Sequence, residues 1–407
     1  MHQIKVLMFG WEFPPHNSGG LGTACYGLTK SLVRANVQVT FVLPKQLTGY
    51  DHDFLKLVFA NIRNVKFRGE RTLLRPYVTS TEYDEWLRTA PDDANYGLNL
   101  FEEVYRYGLH ARQIALEEDF DIIHAHDWLA FRAGIEAKKV SGKPLVVHVH
   151  ATEFDRTAGH PNQHIYDEER KGMHAADCIV AVSHHTKHTI VEHYGIDANK
   201  IMVVHNGIEA GEHKRYLPAS LGHLKAEGKK IVLFVGRITI QKGPDYFVRV
   251  AKRVIDHDPN VLFLVSGSGD MEHQMIRLAA EMGIGDRVVF AGFVRGEELM
   301  KLYRAADLYI MPSVSEPFGI TALEALANGT PILVSKQSGV SEVLTHALKS
   351  DFWDVDDMTD KVLNVLHSNG LQSTLGELGQ RDVEHVTWDS AAGKCTELYR
   401  NIVNSKQ

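Results

Sequence analysis

Cysteine is scarce in this chain, and its few cysteines lack the spacing of a metal site or a disulfide framework. Of 407 residues only three are cysteine, Cys25, Cys178 and Cys395, and no two of them form a C-x-x-C pair. Neither a zinc knuckle nor a disulfide-stapled scaffold is supported. This usage favours buried free thiols in a reducing compartment, and the expected location is the cytoplasm.

The sequence also lacks a long apolar run and an excess of positive charge. No apolar stretch reaches the about 20 residues that span a bilayer, so no integral membrane segment is expected. The run Ile4–Phe9 has no small-residue cleavage site and leads straight into a motif, which favours a first strand over a signal peptide. The net charge of −7 argues against nucleic acid as a main partner, because polyanions reward clustered Lys and Arg.

Short runs rich in Val, Ile and Leu recur along the chain and alternate with helical patterns, which indicates parallel sheets covered on both faces. In the first half these runs are Ile4–Phe9, Val37–Leu43, Asp121–His124, Leu145–His150, Ile179–Val182 and Ile201–Val204. In the second half they are Ile231–Val235, Val261–Val265, Val288–Phe290, Leu308–Met311 and Ile332–Val334. Two such series predict an α/β protein with two Rossmann-like, doubly wound domains.

Two features mark how these series are divided. The turn signal His205-Asn206-Gly207 lies between them, and the segment that follows it is polar with little strand character. A helix is expected near the end of the chain, from about Trp388 to Val403.

A glycine-rich loop follows the first predicted strand. It reads Ser18-Gly19-Gly20-Leu21-Gly22 and precedes a helical pattern from Thr23 to Val33. Glycines let backbone approach a ligand closely, and free N–H groups at a helix start attract an anion. The spacing is neither G-x-G-x-x-G nor that of a P-loop, so an anion site and a purely structural turn both remain open.

Two cations follow the first strand of the second series. Arg237 and Lys242 lie five residues apart on a loop punctuated by glycine. Fixed cations at this spacing can neutralise the charge that builds on a departing nucleoside diphosphate. Their position favours binding over simple surface charge, because parallel sheets bind ligands at the carboxyl ends of their strands.

The most informative motif is the segment 312–325, which carries the acid pair Glu316 and Glu324 in an E-x7-E spacing. A Pro-Phe-Gly break places Glu316 on a loop, and a helix is expected to begin near Gly319 or Ile320. The first N–H groups of that helix would face an anion. Carboxylates are good acceptors for sugar hydroxyls, although a helix-capping role would account for Glu324 by itself.

Histidines occur at the ends of two predicted strands. His150 lies at the carboxyl end of its strand, where it can donate a hydrogen bond into a cleft; a structural histidine is the competing interpretation. The pairs His124/His126 and His148/His150 are spaced to lie on one strand face each. No carboxylate or cysteine pattern completes a ligand set, so no metal is expected.

These motifs, in this order, resemble the GT-B retaining glycosyltransferases of family 4, and most closely their glycogen- and starch-synthase-like members. The resemblance covers nearly the whole chain. It implies two Rossmann-like domains that face each other across a cleft: residues 1–207 with 388–407 as the acceptor domain, and 208–387 as the nucleotide-sugar donor domain. One position departs from the synthase pattern, because Asn17 stands where those enzymes carry a lysine.

The resemblance also implies residue roles. Catalytic positions carried over from the family are His150, Arg237, Lys242 and Glu316. Donor-binding positions are Gly19, Gly20, Phe318, Gly319, Ile320, Thr321 and Glu324. The two cations would bind the phosphates, Glu316 the sugar hydroxyls, Glu324 the ribose, and His150 the sugar near the transfer site.

The expected activity is that of a hexosyltransferase without metal or cofactor. It would move a hexose, with glucose as the expected sugar, from a UDP- or ADP-type donor to a carbohydrate acceptor such as an α-glucan. Three alternatives stay open: a cell-envelope or exopolysaccharide acceptor, a nucleotide-sugar 2-epimerase, and a non-catalytic nucleotide-sugar-binding protein. The oligomeric state is not predicted.

Overall fold

A computed structural model of the chain describes residues 3–16, 19–45, 49, 53–60, 96–209, 223 and 225–405. The chain forms two compact units. Unit 1 comprises Met1–Glu153, Pro161–Gly207 and Trp388–Gln407, and unit 2 comprises Phe154–His160 and Ile208–Thr387. The sequence assigned residues 154–160 to the first domain, whereas the structure groups them with the second. Within unit 2, Ser315 Oγ donates a hydrogen bond of 2.5 Å to Asp155 Oδ1.

Unit 1 is built on one parallel sheet. Its strands are β1 Lys5–Phe9, β2 Gln38–Leu43, β3 Lys56–Phe59, β4 Ile122–His126, β5 Leu145–Val149, β6 Cys178–Ala181 and β7 Ile201–Val203. Their spatial order is β3-β2-β1-β4-β5-β6-β7. β4 and β5 are buried along their whole length, as strands covered by helices on both faces must be.

The helices of unit 1 connect these strands. They are α1 Gly20–Arg34, α2 Tyr96–Glu117, α3 Asp127–Ser141, α4 Gln163–Ala175 and α5 His184–Tyr194. A single helical turn, Glu153–Arg156, has its first residue in unit 1 and the other three in unit 2.

Unit 2 repeats the architecture with a six-stranded parallel sheet. Its strands are β8 Lys230–Val235, β9 Val261–Ser266, β10 Val288–Gly292, β11 Leu308–Met311, β12 Ile332–Ser335 and β13 Leu348–Ser350, in the order β10-β9-β8-β11-β12-β13. Its helices are α6 Pro244–His257, α7 Glu272–Glu281, α8 Gly296–Ala305, α9 Ile320–Ala327, α10 Val355–His367 and α11 Asn369–Val383. The α/β class and the two Rossmann-like domains predicted from the sequence are confirmed.

The C-terminal helix α12, Trp388–Ser405, belongs to unit 1 and packs against α1. A Cβ on Gly27 of α1 would lie 2.3 Å from the Trp388 indole nitrogen, so this glycine is what admits the tryptophan. Arg34 and Asp389 add an exposed ion pair of 2.8 Å. Among the described residues, no helix has both the length and the apolarity to span a bilayer.

Candidate active site

The second sheet reverses its strand order between β8 and β11, and the two cation- and acid-bearing motifs follow these strands. Gly236 and Arg237 continue from the carboxyl end of β8, and Pro312 continues from that of β11. Such a reversal opens a crevice at the strand ends, which is where doubly wound sheets bind ligands. The topology therefore brings both motifs to one edge of the sheet.

The loop after β8 packs tightly on the loop after β11. A 3-10 turn covers Ile240–Lys242, and Gly243 ends it with a φ of +61°. A Cβ on Gly243 would lie 2.2 Å from the Pro312 carbonyl oxygen, so a side chain would force the loops apart. The N–H of Val314 donates to the carbonyl of Gln241 at 2.9 Å. These contacts fix the position of Lys242, the residue before Gly243.

Lys242 and Glu316 form a direct ion pair. The carboxylate is buried, with 6% of the residue exposed, and also accepts a hydrogen bond from Ser313 Oγ at 3.3 Å. The backbone holds Glu316 as well: its N–H donates to Gln337 and its carbonyl accepts from Gly339, both at 2.9 Å. A buried carboxylate needs a cation and hydrogen-bond donors beside it, and this one has both.

Arg237 lies beside this pair through a shared neighbour. Its guanidinium donates to Gln241 Oε1 at 3.1 Å, and the backbone carbonyl of Gln241 accepts the N–H groups of the 314–315 loop. Gln241 itself is buried, with 3% of the residue exposed. The predicted cations and the first of the two acids are thus brought together in unit 2.

The helix start predicted from the sequence is present. Helix α9 begins at Ile320, and Gly319 precedes it with a φ of 110°, in the left-handed region that favours glycine. A Cβ there would also lie 2.9 Å from Met311 Cε. The carbonyl of the buried Phe318 accepts the N–H of Val340 at 2.7 Å, which anchors the loop before the helix. The first turn of α9 contains no acidic residue, so its amides favour an external anion.

Two tyrosines support the polar side chains of α9. Tyr303 on α8 donates to Glu324 Oε2 at 3.0 Å, and the hydroxyl groups of Tyr309 and Thr321 lie 2.8 Å apart. Burial raises the pKa of Glu324 to about 7, and the hydrogen bond from Tyr303 opposes that rise. Near neutral pH this carboxyl group is therefore divided between its acid and its carboxylate form.

Unit 1 holds the remaining predicted residues. Gly19 is the N-cap of α1 and Gly20 its first residue, and the first turn of the helix contains no acidic side chain. A Cβ on Gly20 would meet no atom of the described residues within 4 Å. The backbone at this helix start is therefore open to a ligand.

His150 directly follows β5, at its carboxyl end. Its backbone N–H donates to Asp127 Oδ1 at 2.7 Å, and its ring nitrogen Nε2 lies 2.9 Å from Nδ1 of His126. Asp127 itself adopts a φ of 58°, which is uncommon for a residue with a side chain. The end of β4 therefore holds both the backbone and the ring of His150.

The histidines of β4 and β5 form a row of stacked rings. Neighbouring rings of His124, His126, His148 and His150 have centroids 4.2–5.4 Å apart and planes 8–31° from parallel. Burial, followed by the neighbouring histidines, lowers the pKa of His126 and His148 well below 6.5 and that of His124 to about 3. At neutral pH these rings are uncharged.

Two trios that include histidines of this row bring possible metal ligands within 4.8 Å of one another: Cys25 with His126 and His150, and His124 with His126 and His148. The lone pairs of an imidazole lie in the ring plane, and the planes here are nearly parallel. A zinc ion needs such lone pairs to converge at about 2.0–2.1 Å. The absence of a metal site stays a prediction from the sequence.

Several supporting residues were not predicted. They are Ser313, Gln241, Tyr303 and Tyr309 in unit 2, with His126 and Asp127 in unit 1. A usable signal existed only for the last two: the spacing already paired His126 with His124, but the predicted apolar run stopped at His124, whereas β4 continues to His126. Had the strand been extended, the polar pair at its carboxyl end would have fallen beside His150.

Two family models match the chain. The model described as Glycosyltransferase Family 4 matches residues 18–212, and the model described as Glycosyl transferases group 1 matches residues 221–382. An uncharacterized glycosyltransferase of Methanocaldococcus jannaschii is 30% identical over 418 residues, which is 98% of this chain and 98% of the relative. The match therefore extends through both units.

Two other relatives have stated activities. A D-inositol 3-phosphate glycosyltransferase of Nocardia farcinica is 36% identical over 304 residues, 69% of this chain and 66% of that protein. A glycogen synthase of Mycobacterium tuberculosis is 26% identical over 352 residues, 84% of this chain and 80% of that protein.

Solved structures share the architecture. Sucrose-phosphate synthase of Thermosynechococcus elongatus superposes with a TM-score of 0.77 at 20% identity, covering 99% of this chain and 100% of that one. Anabaena HepE in complex with UDP and glucose gives a TM-score of 0.67 at 17% identity, covering 97% of this chain and 99% of that one. The chain belongs to the family 4 glycosyltransferases and has the GT-B fold.

Proposed function

We propose that this protein transfers a hexose from a nucleotide-sugar to a carbohydrate acceptor with retention of anomeric configuration. The observation that carries the proposal is the cluster at the reversal point of the second sheet. There Lys242 pairs with the buried Glu316, Arg237 lies beside them through Gln241, and α9 begins nearby after Gly319. Cations, helix amides and a carboxylate are what a nucleoside diphosphate and a sugar require together.

In unit 2 the proposed roles follow from charge and hydrogen-bonding capacity. Arg237, Lys242 and the backbone amides of residues 318–321 bind the diphosphate. Glu316 accepts hydrogen bonds from hydroxyl groups of the sugar, and Glu324 accepts them from the ribose. In unit 1, Gly19 and Gly20 offer backbone to the diphosphate, while His150 contacts the sugar; these assignments rest on the family resemblance.

Chemically, the step depends on the departure of the diphosphate. Cleavage of the glycosidic bond leaves positive charge on the sugar and negative charge on the leaving phosphate, so fixed cations lower the barrier directly. A phosphate oxygen takes the proton of the acceptor hydroxyl, and no protein side chain is assigned as nucleophile. Because Arg237 and Lys242 supply the positive charge, a chelator is expected to leave turnover unchanged.

For the substrates, we propose glucose carried on UDP or ADP, with an α-glucan as acceptor. The glycogen synthase relative supports the acceptor, and the complex of HepE with UDP and glucose supports a UDP-linked hexose. A second acceptor class is a phosphorylated inositol, which the 36% identity to the Nocardia farcinica enzyme favours.

The test is release of nucleoside diphosphate from a panel of UDP-, ADP- and GDP-hexoses, with and without an α-glucan or an inositol phosphate. Acceptor-dependent release with an α-linked product is the expected result. Conversion of the donor alone to an epimer would replace the transferase proposal with the 2-epimerase alternative. Tight nucleotide-sugar binding without turnover on any acceptor would favour the non-catalytic binding protein.

A further inference from the structure

An exposed tryptophan lies at the carboxyl-end edge of the second sheet, outside the residues assigned to the donor. Trp353 follows the edge strand β13 by three residues and is 58% exposed, whereas tryptophan is highly buried on average. Because more than half of its surface is open to solvent, packing does not cover both faces of its indole. Trp353, Phe352 and Tyr246 together are called the aromatic platform.

Neighbouring rings and the backbone hold Trp353 in place. Its ring meets that of Phe352 with centroids 4.8 Å apart and planes at 85°, and Phe352 meets Tyr246 in the same edge-on manner at 5.2 Å and 77°. The N–H of Phe352 donates to Gln337 Oε1 at 3.3 Å, and Asp354 is the N-cap of α10. The indole is thus preorganised, so a ligand that stacks on it loses little affinity to side-chain ordering.

Two connections join the aromatic platform to the Lys242–Glu316 pair. Tyr246 belongs to the first turn of α6, and a Cβ on the preceding Gly243 would lie 3.3 Å from Tyr246 Cδ2. Gln337, which contacts the platform through its side chain, accepts the N–H of Glu316 with its backbone carbonyl at 2.9 Å. The platform therefore borders the proposed donor site at the edge of the sheet where ligands bind.

The charges around the platform are compensated in pairs. Three aspartates of the segment 351–357 each have a cation: Asp351 pairs with Lys336, Asp356 with Arg253, and Asp357 with Lys361. A nucleic acid or an anionic bilayer rewards clustered positive charge in excess, which this segment does not offer. A neutral ligand is therefore favoured over a polyanion.

A sugar ring matches this surface in size and chemistry. One face of a pyranose carries C–H groups that pack on an aromatic plane, and its rim carries hydroxyl groups. Asp351, two residues before Trp353, and its partner Lys336 supply carboxylate lone pairs and ammonium N–H groups for such hydroxyls. A protein partner would need about 800 Å² on each side, whereas one tryptophan buries at most about 250 Å².

We propose that Trp353 is a carbohydrate-binding residue, whose indole stacks on a sugar ring of the α-glucan acceptor beside the donor site. Phe352 and Tyr246 are positioning residues that hold the indole. Whereas the family resemblance assigns the acceptor to unit 1, the platform gives unit 2 a part in binding it. That the sugar belongs to an α-glucan rests on the proposed function.

Binding of maltoheptaose in the absence of any donor tests the platform directly. The chain has five tryptophans, so the expected change in fluorescence is assigned to Trp353 by its loss in Trp353→Phe. By calorimetry, Trp353→Ala should weaken binding about tenfold, on the scale of a lost aromatic stacking contact. Trp353→Phe keeps an aromatic face and should stay within about threefold of wild type. Ile276→Ala, at an exposed apolar position of α7, is the control and should bind like wild type.

Three results would overturn the platform. They are equal affinity for maltoheptaose in wild type and Trp353→Ala, no response of Trp353 to maltoheptaose at millimolar concentration, and a response of Trp353 to UDP or ADP instead, which would assign the indole to the nucleobase. If Trp353→Ala does not fold by circular dichroism, the response of Trp353 in the wild-type protein decides.

Kinetics separate this proposal from the proposed function. In the diphosphate-release assay, Trp353→Ala should raise the KM for maltoheptaose about tenfold, while kcat and the KM for the donor stay within about threefold of wild type. An unchanged acceptor KM would reject the platform and leave the transferase standing. Maltoheptaose that binds at Trp353 but receives no hexose from any donor would instead reject the proposed acceptor and leave the platform standing.

Discussion

At the scale of single residues, Lys242 is the side chain on which turnover should depend most. Removing one preorganised group that stabilises developing negative charge typically costs roughly 100-fold or more in rate. We therefore expect Lys242→Ala to lower kcat by about that factor in a diphosphate-release assay. Lys252→Ala is the matched control, because Lys252 forms an ion pair with its helix neighbour Asp256 on an exposed face.

A second variant separates chemistry from stability. Lys242→Ala leaves the buried carboxylate of Glu316 without its cation, which is destabilising in its own right. Adding Glu316→Gln removes that charge and should recover part of the melting temperature but none of the turnover. Wild-type turnover in folded Lys242→Ala would remove this lysine from the mechanism.

Glu324 predicts a pH dependence of nucleotide binding. Its pKa is raised to about 7 by burial, and only the carboxylate accepts hydrogen bonds from ribose hydroxyls at both oxygens. Affinity for a nucleoside diphosphate should therefore increase as the pH rises from 6 to 8, as measured by calorimetry. Glu324→Gln should flatten this profile. Glu103→Gln should not, although burial also raises the pKa of Glu103 to about 7, because Glu103 lies on α2 and is not among the residues proposed to bind the nucleotide.

At this scale the sequence identified side chains that carry charge and missed those that support them. Lys242 and Glu316 could be predicted as site residues because they are charged and lie on loops that contain glycine and proline, where a purely structural role for such side chains is uncommon. Tyr303 looks like an ordinary helix residue, and its hydrogen bond to Glu324 comes from a different helix, 21 positions away along the chain. Pairings of this kind depend on how helices pack, which spacing within one motif does not contain.

At the scale of secondary-structure elements, the two glycine-started helices respond differently to the same substitution. Gly319 needs its left-handed backbone and touches Met311, so a side chain there would strain the fold itself. A Cβ on Gly20 would instead have free space among the residues that the structure describes. Any loss of ligand binding in Gly20→Ala would therefore come from a clash between the new methyl group and the ligand, and not from a distorted fold.

We expect Gly20→Ala to weaken binding of the nucleotide-sugar at least tenfold while the melting temperature stays the same or rises, because alanine favours helix over glycine. Isothermal calorimetry and thermal unfolding measure the two effects. Gly393→Ala in α12 is the control, since a Cβ there also meets no atom within 4 Å. Unchanged donor affinity in Gly20→Ala would show that the backbone of α1 does not approach the ligand.

Strands were predicted where their sequence forms an apolar run. Every apolar run singled out in the sequence lies on a strand of one of the two sheets. β3 and β13 were missed; they have only four and three residues, and each lies at an edge of its sheet. An edge strand is covered less completely, so its sequence need not be continuously apolar, and β3 has no fully buried residue.

At the scale of the whole molecule, the proposed function depends on one sheet topology that occurs in both units. In each sheet the first strand of the unit lies beside the fourth. The proposed ligand-binding groups follow the carboxyl ends of β1 and β5 in unit 1 and of β8 and β11 in unit 2. The sequence could predict two doubly wound domains because each strand is a local pattern. It could not place Phe154–His160 with the second unit, because partners far apart along the chain, such as Asp155 and Ser315 at a separation of 160 residues, are not visible in local patterns.

The row of buried histidines makes a further prediction for the stability of the molecule. Histidine in the unfolded chain has a pKa near 6.5, whereas burial lowers the pKa of all four, that of His124 to about 3. Below about pH 6.5 the unfolded state therefore binds more protons than the folded state, and the free energy of unfolding falls as the pH falls. This contribution to the free energy of unfolding is fully present above about pH 6.5 and is lost progressively as the pH falls toward 5.

His148→Leu should remove one of these groups, and its effect is best read as a difference from wild type at each pH. One proton taken up only on unfolding lowers the free energy of unfolding by at most about 1.4 kcal/mol per pH unit. Between pH 6 and 5 the free energy of unfolding of the variant should therefore rise relative to that of wild type by about that amount. His273→Leu, at an exposed position, should leave the profile unchanged. Urea unfolding followed by circular dichroism measures all three. Parallel acid profiles for wild type and His148→Leu would mean that His148 is already protonated in the fold, and that the stacked row is not neutral.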